Sequence, residues 1–370
     1  MKKTILTLFV LLALGILADG CKKTRGILIG IAMPETHVLR WVKDGKSLQE
    51  EAEKLGYLAK VRYGETDQAA QNKQIKRFLA QGAKALIVGC INDGVNPVIA
   101  EAGRGNVVVI AYYRIIPNSA DYDYYITFNN FKVGVLQAES IVQGLNLASV
   151  SPNAPKYITL FAGSPADQNA SFLFDGAMSV LNPYIDKGVL KVIGPYPKTS
   201  ADRADFQKIA AENRQAPAAK TRMENLLDSD ARDVTLDAVL APDDTLALAI
   251  IEACKTDAKY LSKLPLISGQ DADFDSALSI KNGEQYSTVF KDTSKLAEAA
   301  ILLADQILKG QPINIPGAVL ASGDLAAIGD TGKKIVKTYL LDPVLITKDN
   351  LNNLIDADFY EKNQNIQLQN

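Results

Sequence analysis

Short apolar runs alternate with amphipathic segments along the first part of the chain. Residues 26–33 are apolar and β-branched and end before Pro34, a pattern typical of a buried strand. Residues 39–55 carry apolar side chains at helical spacing and stop at Gly56, which predicts a helix. This βα alternation predicts a parallel sheet with helices on both faces. Further strands are predicted at 57–63, 85–88 and 107–111, and further helices after Asp67 and over 94–102.

A second series of the same kind begins at Tyr124. The two series resemble each other in layout but share no clear sequence repeat. We therefore predict an α/β protein of two Rossmann-like lobes, with the ligand site between them, outside the carboxyl ends of the strands. The predicted strands are 124–128, 157–162, 189–193, 234–240, 264–268 and 285–290, and the helices are 134–145, 172–181, 217–227, 245–255 and 294–308.

The first residues carry the pattern of an export signal. Lys2 and Lys3 precede an apolar run over 5–17, which is shorter than the roughly 20 residues of a membrane-spanning helix. The residues before Cys21 resemble the lipobox of bacterial lipoproteins, in which such a cysteine is lipidated. We predict a signal peptide at 1–20 and an exported protein, in the periplasm or at the outer cell surface, anchored to the membrane through lipidated Cys21. An ordinary secretory signal that is cut nearby is the alternative.

Composition excludes several classes of protein. The 370 residues are 47% hydrophobic and 22% charged, and 40 basic residues against 42 acidic ones give a net charge of −2. These values exclude a disordered chain, a coiled coil and a basic nucleic-acid binder. One histidine and three cysteines are too few for a structural zinc site or a disulfide framework. Cys90 and Cys254 lie in apolar runs typical of buried free thiols, and a disulfide between them is left open.

Polar side chains recur shortly after the predicted strands. Because the carboxyl ends of parallel strands meet at one edge of a sheet, we expect these side chains to line one cleft. Carboxylates, amides and basic groups suit a polyhydroxylated ligand, since each hydroxyl both donates and accepts hydrogen bonds. The single tryptophan can cover the apolar face of a sugar ring. The candidates are Arg40, Trp41, Arg114, Asn169, Asp244, Asp271 and Lys291.

Each candidate also has a structural interpretation. Arg40 and Lys291 match ordinary surface charges, and Trp41 matches a core residue. One of Asp243 and Asp244 is expected to cap the helix that follows them. It is the repetition of polar groups at successive strand ends that favours a binding site.

The sequence lacks the usual catalytic motifs. Asp244 and Asp271 offer the carboxylate pair of a glycosidase, but a chain with many acidic residues contains such pairs by chance. There is no phosphate-binding P-loop, no nucleophile elbow and no complete dinucleotide-binding fingerprint. A lone histidine is a poor metal site. We therefore expect a binding protein without cofactor or metal, rather than an enzyme.

Ordered segments along nearly the whole mature chain carry a resemblance to a known family. They are IAMP (31–34) with RW (40–41), AYYR (111–114), FNNFKVG (128–134), GSP (163–165) with Asn169, DGAMSV (175–180), SGQD (268–271), and GEQYS (283–287) with KDT (291–293). With these segments the chain resembles the type I periplasmic sugar-binding proteins of ABC transporters, and among them the xylose-binding proteins and the multiple-sugar-binding receptors.

The resemblance implies a fold and a site. Two lobes with parallel sheets are joined by a three-strand hinge, and the seven candidates named above all match sugar-contacting positions of the family. The crossovers are expected near 128–130, 271–273 and 339–342. The expected lobes are 21–129 with 273–338, and 130–272 with 339–370.

Two positions depart from the pattern of the family. Tyr113 stands where the family has an aspartate before the arginine. This removes an acceptor for sugar hydroxyls, and each hydrogen bond to such a charged group contributes roughly 1.5–3 kcal/mol. Asn213, Arg214 and Gln215 occupy the segment in which the family has a second tryptophan. We expect Tyr113 to stack on the ligand or to narrow the pocket, and thereby to shift the sugar preference.

The expected function is capture of a monosaccharide of the xylose, glucose, galactose or arabinose type. The lobes close around the sugar, and the closed form of the monomer delivers it to an ABC permease. No nucleic-acid partner is expected. Three alternatives stay open: a sugar sensor for a chemoreceptor or a histidine kinase, a binder of a nucleoside or a quorum signal on the same fold, and a hydrolase on the same scaffold.

Overall fold

The computed structural model of the protein describes residues 26–165, 167–211, 215–357 and 359–369. The predicted signal peptide, Cys21, Asn213 and Arg214 lie outside these ranges. None of the helices within them has the length and apolar character needed to cross a membrane. The strands are β1 (Leu28–Met33), β2 (Leu58–Tyr63), β3 (Ala85–Val88), β4 (Val108–Tyr112), β5 (Tyr124–Phe128), β6 (Lys156–Leu160), β7 (Leu190–Val192), β8 (Ala238–Leu240), β9 (Leu266–Ile267), β10 (Ser287–Phe290), β11 (Ala318–Leu320), β12 (Lys337–Leu341) and β13 (Val344–Thr347). The α-helices are α1 (Leu39–Lys54), α2 (Gln68–Ala80), α3 (Asn96–Arg104), α4 (Asn130–Gly144), α5 (Gln168–Asp186), α6 (Arg203–Ile209), α7 (Ala216–Asp228), α8 (Asp244–Lys255), α9 (Phe274–Asn282), α10 (Thr293–Leu308), α11 (Asn352–Asp356) and α12 (Lys362–Gln369).

The first sheet is built mainly from the amino-terminal part of the chain. Its strand order is β11-β12-β5-β4-β3-β1-β2, and every pair is parallel except β11 with β12. All residues of β1 are buried, because this apolar strand lies inside a sheet that helices cover on both faces. Helices α1 and α10 pack on one face, and α2 and α3 pack on the other. This arrangement agrees with the predicted parallel α/β layout.

The second sheet has the same construction. Strands β7-β6-β8-β9 are parallel neighbours. Backbone hydrogen bonds from Tyr286 to Ile267 (3.0 Å) and from Val289 to Gly269 (3.1 Å) place β10 beside β9, and β13 pairs with β10 in antiparallel orientation. Helices α4 and α5 cover one face, and α7 and α8 cover the other. The protein therefore has two lobes, each with its own sheet and cores.

Aspartates set the start of several helices. The carboxylate of Asp67 accepts hydrogen bonds from the backbone N–H groups of Ala69 (2.8 Å) and Ala70 (3.2 Å) at the start of α2. At the start of α8 it is Asp243, and not Asp244, whose carboxylate accepts the capping bond, from the N–H of Leu246 at 3.0 Å. The side chain of Asp244 is thereby left for other contacts.

Two of the connections between the lobes lie beside β5 and β12. The first runs from the end of β5 at Phe128 in the first sheet to the start of α4 at Asn130 in the second lobe. Another runs from the end of β12 at Leu341 in the first sheet to the start of β13 at Val344, which pairs with β10.

The remaining crossover differs from the expectation of 271–273. Helix α9 and strand β10 come after that segment, yet Ile280 and Phe290 share a core with Ile346 in the second lobe. The chain returns to the first lobe between Phe290 and Thr293, where α10 begins and packs on the first sheet. The expected boundary at 273 is therefore wrong, because α9 packs against residues from the carboxyl terminus of the chain. The packing assigns 26–129 and 293–341 to the first lobe, and 130–290 and 344–369 to the second.

Helices α4 and α5 approach each other unusually closely next to the first crossover. A β-carbon at Gly134 would overlap the backbone carbonyl oxygen of Leu173, and one at Gly176 would overlap that of Phe131. Glycine is needed at both positions because the two backbones are in contact. The contact fixes the second lobe directly at the point where the chain enters it.

Cys90 and Cys254 are both buried free thiols. Cys90 lies in the core of the first lobe, where its thiol donates to the carbonyl of Ile115 at 3.0 Å, and Cys254 lies in the core of the second. Burial raises the pKa of each thiol to about 12. The disulfide that the sequence left open is therefore not formed.

Candidate functional site

Tyr113 directly follows β4, at the carboxyl edge of the first sheet. Its backbone adopts the left-handed region with φ 60°, which is uncommon for a bulky residue. Three hydrogen bonds hold that backbone: its N–H donates to Ile126 (2.9 Å), and its carbonyl accepts from the hydroxyls of Tyr125 (2.9 Å) and Thr127 (3.1 Å). The neighbouring strand β5 thus fixes the conformation that aims this side chain.

Arg40 and Trp41, in the first turn of α1, contact the ring of Tyr113. The guanidinium carbon of Arg40 lies 3.2 Å from the centroid of the Tyr113 ring and 4.8 Å from that of Trp41. The Trp41 ring meets the Tyr113 ring edge-on, with centroids 5.8 Å apart. Trp41 is only 2% exposed and belongs to the core of the first lobe, which agrees with its alternative interpretation as a core residue. Its ring nevertheless borders the predicted site.

Asp44 lies one helical turn after Arg40 and is 1% exposed. One carboxylate oxygen of Asp44 lies 3.4 Å from Nη2 of Arg40. Burial raises the pKa of Asp44, while the guanidinium of Arg40 acts in the opposite direction. Burial also lowers the pKa of Arg40, but Tyr113 and Asp44 outweigh it and hold that pKa above its usual value. Sequence reasoning missed Asp44; the available signal was an acidic residue on the buried stripe of α1, beside Trp41.

Lys291 connects the two lobes through its ammonium group. It lies in the crossover after β10, is 7% exposed, and donates to the hydroxyl of Tyr113 (3.2 Å) and to Oε1 of Gln270 (3.1 Å). A carboxylate oxygen of Asp271 lies 2.8 Å from the same Nζ. Gln270 and Asp271 follow β9 in the second lobe, whereas Tyr113 belongs to the first. Lys291 therefore holds groups from both sides of the predicted cleft together.

The charges around Lys291 also affect proton affinities. Burial lowers the pKa of Lys291, but the Asp271 carboxylate and Tyr113 raise it overall, so the ammonium stays charged. Burial raises the pKa of the Tyr113 phenol, but Arg40 and Lys291 outweigh burial and lower it overall. Two cations, Arg40 and Lys291, thus stabilise the ionised form of the Tyr113 phenol more than burial and Asp271 oppose it.

Arg114 and Asn169 stand at the border of this group. Arg114 is exposed, and its guanidinium carbon lies 5.1 Å from the centroid of the Trp41 ring. Asn169, in the first turn of α5, is partly buried and accepts a hydrogen bond from Nδ2 of Asn130 at 2.9 Å. Asn130 begins α4 at the first crossover, so this hydrogen bond connects the crossover to the start of α5 in the second lobe.

Asp244 is fully buried in the second lobe. One carboxylate oxygen accepts from Nε2 of Gln285 (2.8 Å), and the other accepts from the N–H of Asp273 and the hydroxyl of Thr288 (2.9 Å each). Burial raises its pKa well above the usual value. In this conformation Asp244 ties the starts of α8 and α9 to β10, beneath the segment that carries Asp271.

The predicted residues thus divide into a connected group and two outliers. The connected group, which we call the cleft cluster, consists of Arg40, Trp41, Tyr113, Arg114, Asp271 and Lys291. The two outliers are Asn169, at the second-lobe side of the cluster, and Asp244, which is buried in the second lobe. Contact of any of these residues with a sugar stays a prediction.

The described residues contain no group of three or more His, Cys, Asp or Glu side chains arranged to hold a metal ion.

Known proteins share this architecture. The family of periplasmic binding protein domains matches residues 29–312. The chain is 37% identical to the multiple sugar-binding periplasmic receptor ChvE of Rhizobium radiobacter, over 98% of this chain and 99% of that protein. It is 32% identical to the D-xylose-binding periplasmic protein of Escherichia coli K12, over 98% of each. A solved ABC transporter solute binding protein from Clostridium phytofermentans, with bound β-D-glucose, has a TM-score of 0.72 and 34% identity over 91% of this chain and 99% of that one.

Proposed function

The chain belongs to the family of periplasmic binding protein domains, and we propose that it binds a monosaccharide between its lobes and delivers it to an ABC importer. The cleft cluster is the observation that carries this proposal. It brings two guanidinium groups, an ammonium group, a carboxylate and two aromatic rings to the carboxyl edges of the two sheets. The names of the two relatives described above, both sugar-binding periplasmic proteins, support the same ligand class and an exported location.

Each group in the cleft cluster has a role toward a polyol. Asp271 accepts hydrogen bonds from sugar hydroxyls, while Lys291 and Arg114 donate to them, and these charge-assisted bonds are stronger than neutral ones. Trp41 is nearly fully buried and supports the guanidinium groups of Arg40 and Arg114, which lie over its ring. Because binding consists of these contacts and of closure about the three crossovers, the mechanism involves no covalent chemistry.

Tyr113 sets the shape of the proposed site. Its ring lies against the guanidinium of Arg40, and its hydroxyl takes a hydrogen bond from Lys291. A sugar that enters between these groups has to stack on the phenol or displace it. We therefore place the control of sugar preference at Tyr113, among ligands of the xylose, glucose, galactose or arabinose type.

Anchoring through Cys21 is the further part of the proposal. The signal-like segment before Cys21 supports export and lipidation of that cysteine. A lipid at the amino terminus would keep the binding protein close to the permease. The tethered protein would then present its closed, sugar-loaded form at the membrane.

Titration calorimetry with the purified protein tests the function. We expect saturable binding of at least one sugar among D-xylose, D-glucose, D-galactose and L-arabinose, without consumption of it. Arg114→Ala and Asp271→Ala should each weaken that binding about 10-fold or more, the equivalent of one charged hydrogen bond. Arg104→Ala, at the exposed end of α3, serves as the control and should bind like the unmodified protein.

Several outcomes would contradict the proposal. Unchanged sugar affinity in both site variants would show that the cleft cluster does not form the sugar site. Binding of nucleosides but of no sugar would show that the ligand is a nucleoside. Turnover of a bound sugar would identify an enzyme.

A further inference from the structure

Arg222 is a cation of the second lobe that the predicted site does not include. It lies in the second turn of α7, and its guanidinium carbon is 3.9 Å from the centroid of the Phe161 ring. The side chain is partly buried, and its Nη1 atom is buried without a hydrogen-bond partner among the described residues. A buried donor without a partner is costly, and more so when it carries charge.

Phe161 places this guanidinium at the carboxyl edge of the second sheet. Phe161 directly follows β6, and its N–H donates to the carbonyl of Leu240, the last residue of β8, at 2.8 Å. The next residue, Ala162, pairs with Ala210 at the same edge. The segment after Phe161 leads to Asn169, and Asp271 follows β9 at this edge of the sheet. Arg222 is therefore on the side of the second lobe that bears the proposed site.

The other buried cations near the cleft have carboxylate partners. Arg40 pairs with Asp44, and Lys291 pairs with Asp271. Among the described residues, Arg222 forms no ion pair with a carboxylate. Burial lowers the pKa of Arg222 to about 10, as expected for a cation that lacks a compensating charge. The group that would compensate the charge of Arg222 at this edge of the second lobe is therefore an anion.

We propose that Arg222 binds an anionic group of the ligand, so that the preferred ligand is a monosaccharide carrying a carboxylate or a phosphate. This inference rests on the proposed function and specifies its ligand. The guanidinium group of an arginine donates paired hydrogen bonds to a carboxylate or a phosphate, and the Phe161 ring behind it fixes the plane of that group. Hydroxyls of the same sugar remain available to the cleft cluster.

Titrations with matched pairs of sugars test this assignment. The pairs are D-glucose with D-glucuronate, D-galactose with D-galacturonate, and D-glucose with D-glucose 6-phosphate. The unmodified protein should bind the anionic member of a pair at least about 10-fold tighter, and the pair with the larger gain identifies carboxylate or phosphate. Arg222→Gln should remove that gain and leave the affinity for the neutral member within about 3-fold, whereas Arg222→Lys should retain part of it.

Controls separate loss of binding from loss of structure. Arg232→Gln, an exposed arginine of the same lobe, should keep the gain for the anionic sugar. Thermal unfolding of each variant checks its folding, and Arg222→Met tests the charge while keeping apolar contact with Phe161. Equal affinity for both members of every pair, or an equal loss of both in Arg222→Gln, overturns the role of Arg222 and leaves sugar binding in place. Absence of binding to every sugar, neutral or anionic, overturns the proposed function itself.

Discussion

Tyr113 offers one phenol hydroxyl at a position that faces both Arg40 and Lys291. An aspartate there would present two acceptor oxygens, each able to take a charged hydrogen bond. We predict that Tyr113→Asp changes the order of affinities among neutral monosaccharides and strengthens the best of them by about 10-fold, the effect of one such bond. Calorimetric titration over the same sugar panel measures both effects.

Tyr113→Phe is the matched control for this prediction. It removes the hydroxyl that accepts from Lys291 but keeps the ring on the guanidinium of Arg40. The order of sugars should then stay as it is in the unmodified protein. An unchanged order in Tyr113→Asp as well would show that this position does not govern preference.

At the scale of single residues, the sequence predicted residues that lie together in the structure, but not the residues that hold them in place. Positions after strands identified Arg40, Asp271 and Lys291, which do meet one another through Tyr113 and ion pairs. The buried partner Asp44 was missed, because it lies on the inner face of α1 and not after a strand. Asp244 was selected by the same rule, yet its carboxylate points into the lobe and not along the strand edge, a direction that only the packing of β10 determines.

Among the elements, helices α4 and α5 pack with their backbones in contact at Gly134 and Gly176. We predict that Gly134→Ala destabilises the protein by about 1–3 kcal/mol or more, because its β-carbon would overlap the carbonyl oxygen of Leu173 and force the helices apart. The midpoint of urea unfolding measures the loss.

Gly105→Ala provides the comparison. Gly105 ends α3 with a negative φ of −84°, and the nearest atom to a β-carbon there is at 3.4 Å. Its substitution should leave the unfolding midpoint nearly unchanged. A similar midpoint for Gly134→Ala would mean that the two helices can separate at little cost.

Element boundaries were predicted best where apolar runs are sharply bounded. Strands β3 and β5 occupy the residues that the pattern predicted, since polar or turn residues delimit each run. Helix α9 and strands β11 to β13 were not predicted as elements, and α9 was assigned to the wrong lobe. The apolar face of α9 can be read from its own residues, but the residues that it packs against, Ile346 and Leu354, are distant in sequence. Pairing between remote segments does not follow from periodicity.

For the molecule as a whole, ligand binding should couple to closure of the lobes. Trp41 is the single tryptophan of the chain and borders the cleft cluster, so its fluorescence reports on that site alone. We predict a saturable change in tryptophan fluorescence and, at the same ligand concentrations, a smaller radius of gyration in solution X-ray scattering. Both follow from the closing of two lobes onto a shared ligand.

The two signals can be separated by substitution. Trp41→Tyr removes the fluorescence but leaves an aromatic ring at the site, so the scattering change should persist at higher ligand concentration. A fluorescence change that saturates without any compaction would contradict hinge closure.

The three crossovers also determine how much of the chain must be present before either lobe can fold completely. Strand β12 lies between β11 and β5 in the first sheet, and in the sequence it follows every strand of both sheets except β13. Until residues 337–341 have emerged, the first sheet ends at β5 with an unpaired edge, even though the rest of its strands and nearly all of the second lobe are already present. A chain that stops short of this segment is left with a gap in one sheet and missing core residues in the other lobe. Chains that lack this segment are therefore expected to be open to proteases, because neither lobe has its complete core.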